Sequence, residues 1–334
     1  MKKIITFGEI MLRLSAEGHQ RFSDVRTFDV NFGGAEANVA VSLAQFGLSA
    51  SFVSRLPDNE LGMAALKRLR AEGVDTAHII FGSERMGIYF LEPGEGQRNS
   101  NIIYDRHLSA MSEIRRGMVD WDKIFENVSW FHFSGITPAI SQSAAETLKE
   151  AVDSARRNGL TVSCDLNYRS TLWKYGKHPS EVMPEIISEC DVLIADPEAA
   201  EKMLGVPADT SGPEVTLRTI ADSFGNLKTV STTLRDLSHP EYLIFSGILF
   251  HNKILYKGQA HHISRITDRV GAGDAFTAGI IYGLQTFGHD MQRTLDFALA
   301  SGCLKHFVPG DFNNVSVAEI TNLMNGDQGR KIRR

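Results

Sequence analysis

The 334-residue chain has few cysteines: Cys164, Cys190 and Cys303 stand far apart, with no C-x-x-C pair. That spacing excludes a zinc frame and a disulfide scaffold, and it leads to the expectation of a reducing, cytoplasmic setting. No apolar run approaches the ~18 residues that a membrane span needs. The opening Met1-Lys2-Lys3-Ile4-Ile5 could pass for a signal peptide, but Glu9 and Arg13 interrupt the apolar run, so it reads as a first buried strand. Positive charge is also scarce, with 35 Lys and Arg against 40 Asp and Glu, a net charge of −5. That balance excludes the concentrated basic surface of a nucleic-acid binder. The one cationic cluster, Arg330-Lys331-Ile332-Arg333-Arg334, reads as a solvated tail. Missing too are a G-x-x-x-x-G-K-[ST] phosphate loop, a G-x-G-x-x-G dinucleotide fingerprint, internal repeats and low-complexity blocks.

What is present is an ordinary globular composition, 43% hydrophobic and 22% charged, with ample material for a core. From about residue 129 short apolar runs alternate with amphipathic stretches. Val128-Ser129-Trp130-Phe131-His132-Phe133 reads as a buried strand. A helical pattern follows through Ala144, Leu148, Ala151, Val152 and Ala155 and stops at the cap pair Asn158-Gly159. Leu160 to Asp165, Val192 to Ala195 and Lys228 to Thr232 repeat the strand theme. Strands separated by helices imply crossovers and a mostly parallel sheet covered on both faces, an α/β fold. The first third differs. Leu12 to Ser15, Thr27 to Asn31, Met86 to Leu91 and Asn101 to Asp105 are short and half-polar, with the turn-rich Glu92 to Gly96 between them. Alternating polarity predicts strands with one solvated face, a small lid sheet inserted into a single domain over residues 1–334 at about 11–31 and 85–107.

The chemistry concentrates in Ile266-Thr267-Asp268-Arg269-Val270-Gly271-Ala272-Gly273-Asp274, which leads into an apolar helical run from Ala275 to Leu284. Small residues at 271–273 let backbone amides converge, and a helix N-terminus with free N–H groups is an anion site. Such a site suits the charge that builds on a transferring phosphoryl group. Asp274 could then take a hydroxyl proton, although the same residue reads equally well as a helix N-cap after a glycine turn. A second cluster, Asn31-Phe32-Gly33-Gly34-Ala35-Glu36-Ala37-Asn38, favours the first reading. Its paired glycines let backbone approach a ligand, and Asn38 offers sugar hydroxyls both a donor and an acceptor.

Together these segments resemble the two signatures of the ribokinase-like (pfkB) carbohydrate kinases, with Arg269 where the carboxy-terminal signature usually has Thr. The resemblance runs end to end. It implies a three-layer α/β/α sandwich with a β-sheet lid, MgATP as phosphoryl donor, Asp274 as catalytic base, and the amides of Gly271, Ala272 and Gly273 as anion hole. It further implies nucleotide contacts from Asp196, Thr233, Arg235, Gly271 and Gly273, and monovalent-cation activation at Asp268 and the Val270 carbonyl. The sugar would lie between Gly33-Gly34, Asn38 and the lid.

Within the family the chain is most similar to 2-keto-3-deoxygluconate kinases, through Gly8 to Arg13, Tyr104-Asp105-Arg106, Asp165 to Arg169, Thr233-Leu234-Arg235 and the tail Leu304 to Asn313. An acidic substrate needs a cation, best a forked guanidinium. Arg13 stands where many members for neutral sugars have Asp, while Arg106 and Arg169 would face the sugar and Tyr89 and Tyr104 would bond its carboxylate or cover its ring. The alternatives are a fructokinase or ribokinase acting on a neutral sugar, and a catalytically silent regulatory homologue. The family's N-x-x-E segment is altered here to Asp196-Pro197-Glu198-Ala199, and the segment after Arg235 has Asp236-Leu237-Ser238 in place of the usual glycine. His261-His262 reads as part of an exposed strand and His306 as a helix-end residue. The lid strands of the family often pair between subunits, so a homo-oligomer through the lid is expected, with no nucleic-acid or membrane partner.

Overall fold

Residues 128–134 are buried along nearly their whole length, as a strand covered on both faces must be. They form β8 of a computed structural model that describes residues 3–95, 98–208, 212–239 and 242–326. The basic tail at 330–334 and the turn residue Gly96 lie outside the described residues. The main sheet has β1 (Lys3–Phe7) near its middle. On one side run β4 (Ala50–Leu56) and β5 (Ile79–Phe81). On the other run β8 (Val128–Ser134), β9 (Thr161–Asp165), β10 (Val192–Ile194) and β11 (Thr229–Asp236). All these pairings are parallel. Three antiparallel strands close the far edge: β12 (Leu243–His251), β13 (Ile254–Lys257) and β14 (His261–Ile263).

Alternation along the strands fills two separate cores. Ile5, Phe7, Phe131 and Phe133 pack with Leu148 and Val152 of helix Gln142–Arg157. Ile4 and Trp130 face the other way, among Leu43, Phe276 and Leu295. Each such side chain stabilises the fold by about 1.5–3 kcal/mol when fully buried, so a one-residue slip of register would be expensive. The result is the expected three-layer α/β/α sandwich. Helix Gln142–Arg157 is N-capped by Ser141, whose hydroxyl accepts from the Ala144 amide, and Gly159 follows it at φ 70°. No helix among the described residues is long and apolar enough to cross a membrane.

A second, four-stranded sheet stands apart in the order β3 (Phe28–Gly33), β2 (Met11–Ala16), β6 (Ile88–Glu92), β7 (Asn101–Asp105). Ile10 and Leu12 anchor it to a third core with Ala37, Phe52 and Leu66. Val30 on β3 and Ile102 and Ile103 on β7, its two outer strands, stay exposed. His261 departs from expectation: it is buried, and only His262 faces solvent.

Candidate active site

The parallel strands end on one side of the sheet, and the polar residues follow them there. Asp165 closes β9, Asp196 follows β10 by two residues, and helix Ala272–Thr286 starts at the same level. Gly271 caps that helix at φ 84°, a left-handed conformation that L side chains resist. A Cβ there would also lie 2.2 Å from the Asp311 carbonyl oxygen. The first intrahelical bond runs from the Ala275 amide to the Gly271 carbonyl, at 2.9 Å. The amides of Gly271, Gly273 and Asp274 therefore have no backbone acceptor among the described residues, which leaves donors for an anion. Gly273 adds a telling detail: a Cβ built on it would meet nothing within 4 Å, so open space lies beside these amides.

Asp274 is not the helix cap. No side chain caps this helix, and the Asp274 Oδ2 instead accepts from Asn38 Nδ2 at 2.7 Å. Asn38 lies on helix Ala35–Gln45, four residues after Gly34, whose amide donates to Asn38 Oδ1 at 3.3 Å. One buried amide thus joins the two glycine segments across 236 residues. Burial pushes the Asp274 carboxyl up to about 6, against the pull of the Asn38 hydrogen bond and the Arg169 charge; Glu36 and Asp311 add to the rise. A carboxylate poised just below neutrality is mostly ionised at pH 7 and basic enough to take a proton.

The paired glycines have packing duties of their own. A Cβ on Gly33 would fall 1.8 Å from Asp311 Oδ1, and one on Gly34 would fall 2.0 Å from the Glu9 carbonyl oxygen. The arginines divide. Arg13 and Arg106 are both buried and paired with carboxylates: Arg13 with Asp311 at 2.8 Å and Asp268 at 2.7 Å, and Arg106 with Glu9 through Nε and Nη2. Arg13 is therefore neither a surface ion pair nor a free cation for a ligand. Arg169 is exposed and donates one bond to the Tyr168 carbonyl. It lines a cleft with Tyr104, Tyr168, Asp196 and Glu198. Tyr104 packs 5.8 Å from the Tyr89 ring, whose hydroxyl donates to Asp311 Oδ1. Thr233 is half-buried on β11, and Arg235 extends beyond it with its guanidinium 6.0 Å from the Phe245 ring centre. Asp268 Oδ1 accepts from the Val270 amide at 3.0 Å.

Sequence reasoning passed over several charged residues. Glu36, buried at 1% exposure, accepts from the Ser134 amide and from the Ser134 and Thr137 hydroxyls. Burial raises its carboxyl above the usual carboxylate range, against the pull of these hydrogen bonds. Asp165 is pushed up to about 7, by burial first and then by the charges of Asp274 and Asp196. Glu9 and Asp311 complete the set. Glu9, Asp165 and Asp311 sit inside the stretches that carry the subgroup resemblance, which was the only available signal.

Magnesium usually reaches such a site on the nucleotide's phosphates, keeping waters and taking one or two carboxylates. The residues present fit that pattern. Asp196 is exposed and spends Oδ1 on the Ala199 amide at 2.8 Å, while Glu198 faces the same cleft. Among the described residues no group of three or more His, Cys, Asp or Glu side chains could cage a metal unaided.

A parallel sheet with a separate lid sheet, and a buried carboxylate beside free amides at a helix start, define a phosphotransferase that acts on an alcohol group. The chain belongs to the pfkB family of carbohydrate kinases, which it matches over residues 1–316. It is 31% identical to a 2-dehydro-3-deoxygalactonokinase of Haloferax volcanii over 97% of both chains. Among solved structures it superposes on a 2-dehydro-3-deoxygluconokinase of Thermotoga maritima with a TM-score of 0.92 and 45% identity, covering 98% of this chain and all of that one. A fructokinase with bound ATP from Xylella fastidiosa has the same fold at 24% identity, with a TM-score of 0.79 and coverage of 97% and 98%.

Proposed function

We propose that this protein transfers the γ-phosphoryl group of ATP to the primary hydroxyl of a sugar acid, 2-keto-3-deoxy-D-gluconate, giving its 6-phosphate. The observation that carries the chemistry is the Asn38-held Asp274 carboxylate beside the unbonded amides of Gly271 and Gly273. Asp274 takes the hydroxyl proton as oxygen attacks phosphorus, and the amides receive the charge that develops on the phosphoryl oxygens. Gly33, Gly34, Tyr89, Tyr104 and Arg106 lie along the lid side and frame the sugar. Asp196, Thr233 and Arg235 lie along the strand ends, on the nucleotide side. Magnesium, held by Asp196 and Glu198 on the phosphates, would screen the charge between donor and acceptor. Closure of the lid strands excludes water that would otherwise hydrolyse ATP.

The acid preference draws on Arg169, exposed in the cleft beside Tyr104, and on the names of two relatives whose substrates are both 2-keto-3-deoxy acids. The neutral-sugar reading draws on one observation: Arg13 and Arg106 already have carboxylate partners. ADP release measured with 2-keto-3-deoxygluconate, its C4 epimer, fructose and ribose decides between them. Turnover is expected to be highest with a keto-deoxy acid. Preference for fructose overturns the acid assignment, and no release with any sugar overturns the kinase reading in favour of a silent homologue.

The exposed Val30, Ile102 and Ile103 support pairing of two lids in a homo-oligomer, checked by the solution mass. Three buried free cysteines support a cytoplasmic setting.

A further inference from the structure

Behind the anion turn lies a buried charge cluster that the proposed reaction does not use directly. Arg13 enters it from β2 of the lid, with 4% of its surface exposed. Its Nη1 donates to Asp311 Oδ2 at 2.8 Å, its Nη2 to Asp268 Oδ2 at 2.7 Å, and its Nε to Ser15 Oγ at 2.6 Å. Tyr89, its register partner on β6, donates its hydroxyl to the other Asp311 oxygen. Lys305 is fully buried on the far side, with its Nζ donating to the Val308 carbonyl at 2.9 Å and its charge acting on Asp268 and Asp311. Two cations thus balance two carboxylates.

The cluster is also a joint. Asp268 holds the turn through the Val270 amide on Oδ1, and holds the segment before Asp311 through the Gly310 amide on Oδ2, at 3.1 Å. Asp311 is wedged between Gly33 at the end of a lid strand and Gly271 at the helix start, with room for a side chain on neither. A displacement of either carboxylate therefore moves the lid edge and the anion turn together. Loss of the guanidinium would leave two buried carboxylates with Lys305 alone to balance them, an excess of negative charge next to the place where phosphoryl charge develops. Like charges there raise the barrier instead of lowering it.

We propose that Arg13 is a positioning residue, a fixed guanidinium that clamps Asp268 and Asp311, locks the lid to the anion turn, and supplies the positive charge that a bound monovalent cation would otherwise bring. The inference rests on the reading that Gly271 to Asp274 receive the phosphoryl group. It differs from the expectation of a monovalent cation at Asp268, because both oxygens of that carboxylate are already engaged by protein donors.

The test compares wild type, Arg13→Lys, Arg13→Ala and Asp274→Asn. Arg13→Lys keeps the charge but cannot span both carboxylates. Its kcat should fall about 10²-fold, the usual cost of a misplaced catalytic constellation, while the KM for sugar and ATP changes little. Guanidinium ion added to Arg13→Ala should restore at least tenfold of its loss, and wild type should turn over equally in potassium and choline buffers. Should Arg13→Ala not fold, Arg13→Lys and the salt comparison carry the test. An unchanged kcat with a raised sugar KM would place Arg13 on the substrate and overturn the proposal. So would a folded Arg13→Ala that guanidinium does not rescue, or a severalfold potassium dependence of wild type. If Arg13→Lys matches wild type while Asp274→Asn is inactive, only this inference fails. If Asp274→Asn stays active, the reading beneath it fails.

Discussion

At the proposed phosphoryl end of the cleft the groups are backbone amides and buried side chains: the free amides of Gly271 and Gly273 (the Ala272 amide, expected with them, donates to the Arg269 carbonyl at 3.4 Å), Asp274 at 9% exposure, and Asn38 at 3%. At the cleft's exposed rim Arg169 is read on the sugar side and Asp196 and Glu198 on the nucleotide side, all three on segments that follow strand ends. The first end is held by hydrogen bonds between elements far apart in the chain. The rim is held mainly by local ones, Arg169 to Tyr168 and Asp196 to Ala199. Amides at a helix start cannot change identity by mutation, and a buried base tolerates few replacements. Exposed side chains after strand ends can change without disturbing either core. The contrast accounts for how one family can keep a single phosphoryl-transfer chemistry while its members carry the names of different substrates.

The comparison breaks if the phosphoryl end tolerates change. Asp274→Asn is isosteric and keeps a partner for Asn38 after an amide flip, so the fold should survive with a near-normal melting temperature. Loss of a general base should lower kcat by ~10²–10⁴-fold with ATP still bound. Nucleotide titration beside steady-state kinetics checks both parts, and near-normal turnover would end the assignment of Asp274.

Next in size is a pair of glycine variants. Gly273→Ala puts a methyl into open space beside the free amides, and a helix generally gains roughly 0.5–1 kcal/mol from Ala over Gly. The melting temperature should hold or rise while kcat falls about 10²-fold, because the methyl occupies the anion's place. Gly271→Ala should do the opposite. Its Cβ collides with the Asp311 carbonyl, and left-handed strain alone costs roughly 1–2 kcal/mol, so instability should accompany its loss of activity. Equal melting temperatures for the two variants would contradict the open space at Gly273.

These variants also mark what the sequence could convey. The turn from Asp268 to Asp274 was legible because consecutive residues build it: small residues, then a carboxylate, then an apolar helix. The alternation of strands and helices was legible for the same local reason and led to a mostly parallel sheet covered on both faces, while the half-polar strands led to the separate lid sheet. The ion pairs were not. Arg13 meets Asp311 across 298 residues and Arg106 meets Glu9 across 97, and no local pattern tells a guanidinium aimed at a ligand from one neutralised by the protein. Helix starts were blurred too. The Asn38 helix begins at Ala35, directly after the paired glycines, and buries the charged Glu36 in its first turn.

At the exposed rim the effect should be smaller and of another kind. A hydrogen bond to a charged group contributes about 1.5–3 kcal/mol, so Arg169→Ala should raise the KM for a sugar acid roughly 10–100-fold. The KM for ATP and the melting temperature should stay near wild type. A fructose KM that rises in parallel would remove Arg169 from acid recognition.

The smallest effect concerns protons, and it returns to the link between the two glycine segments. With the Asp274 carboxyl raised to about 6, kcat/KM should fall on acidification through that pH, since the protonated form cannot accept the substrate's proton. Asn38 works against the rise: its amide bonds to the ionised form and holds the value down. Asn38→Ala removes that bond, so the acid limb should move to higher pH, and part of the deficit measured at pH 6.5 should vanish at pH 8. A variant whose deficit is the same at both pH values would show that Asn38 orients the base without tuning it. The pH profile of Asn38→Ala therefore separates geometry from electrostatics at the point where the chain's two signatures meet.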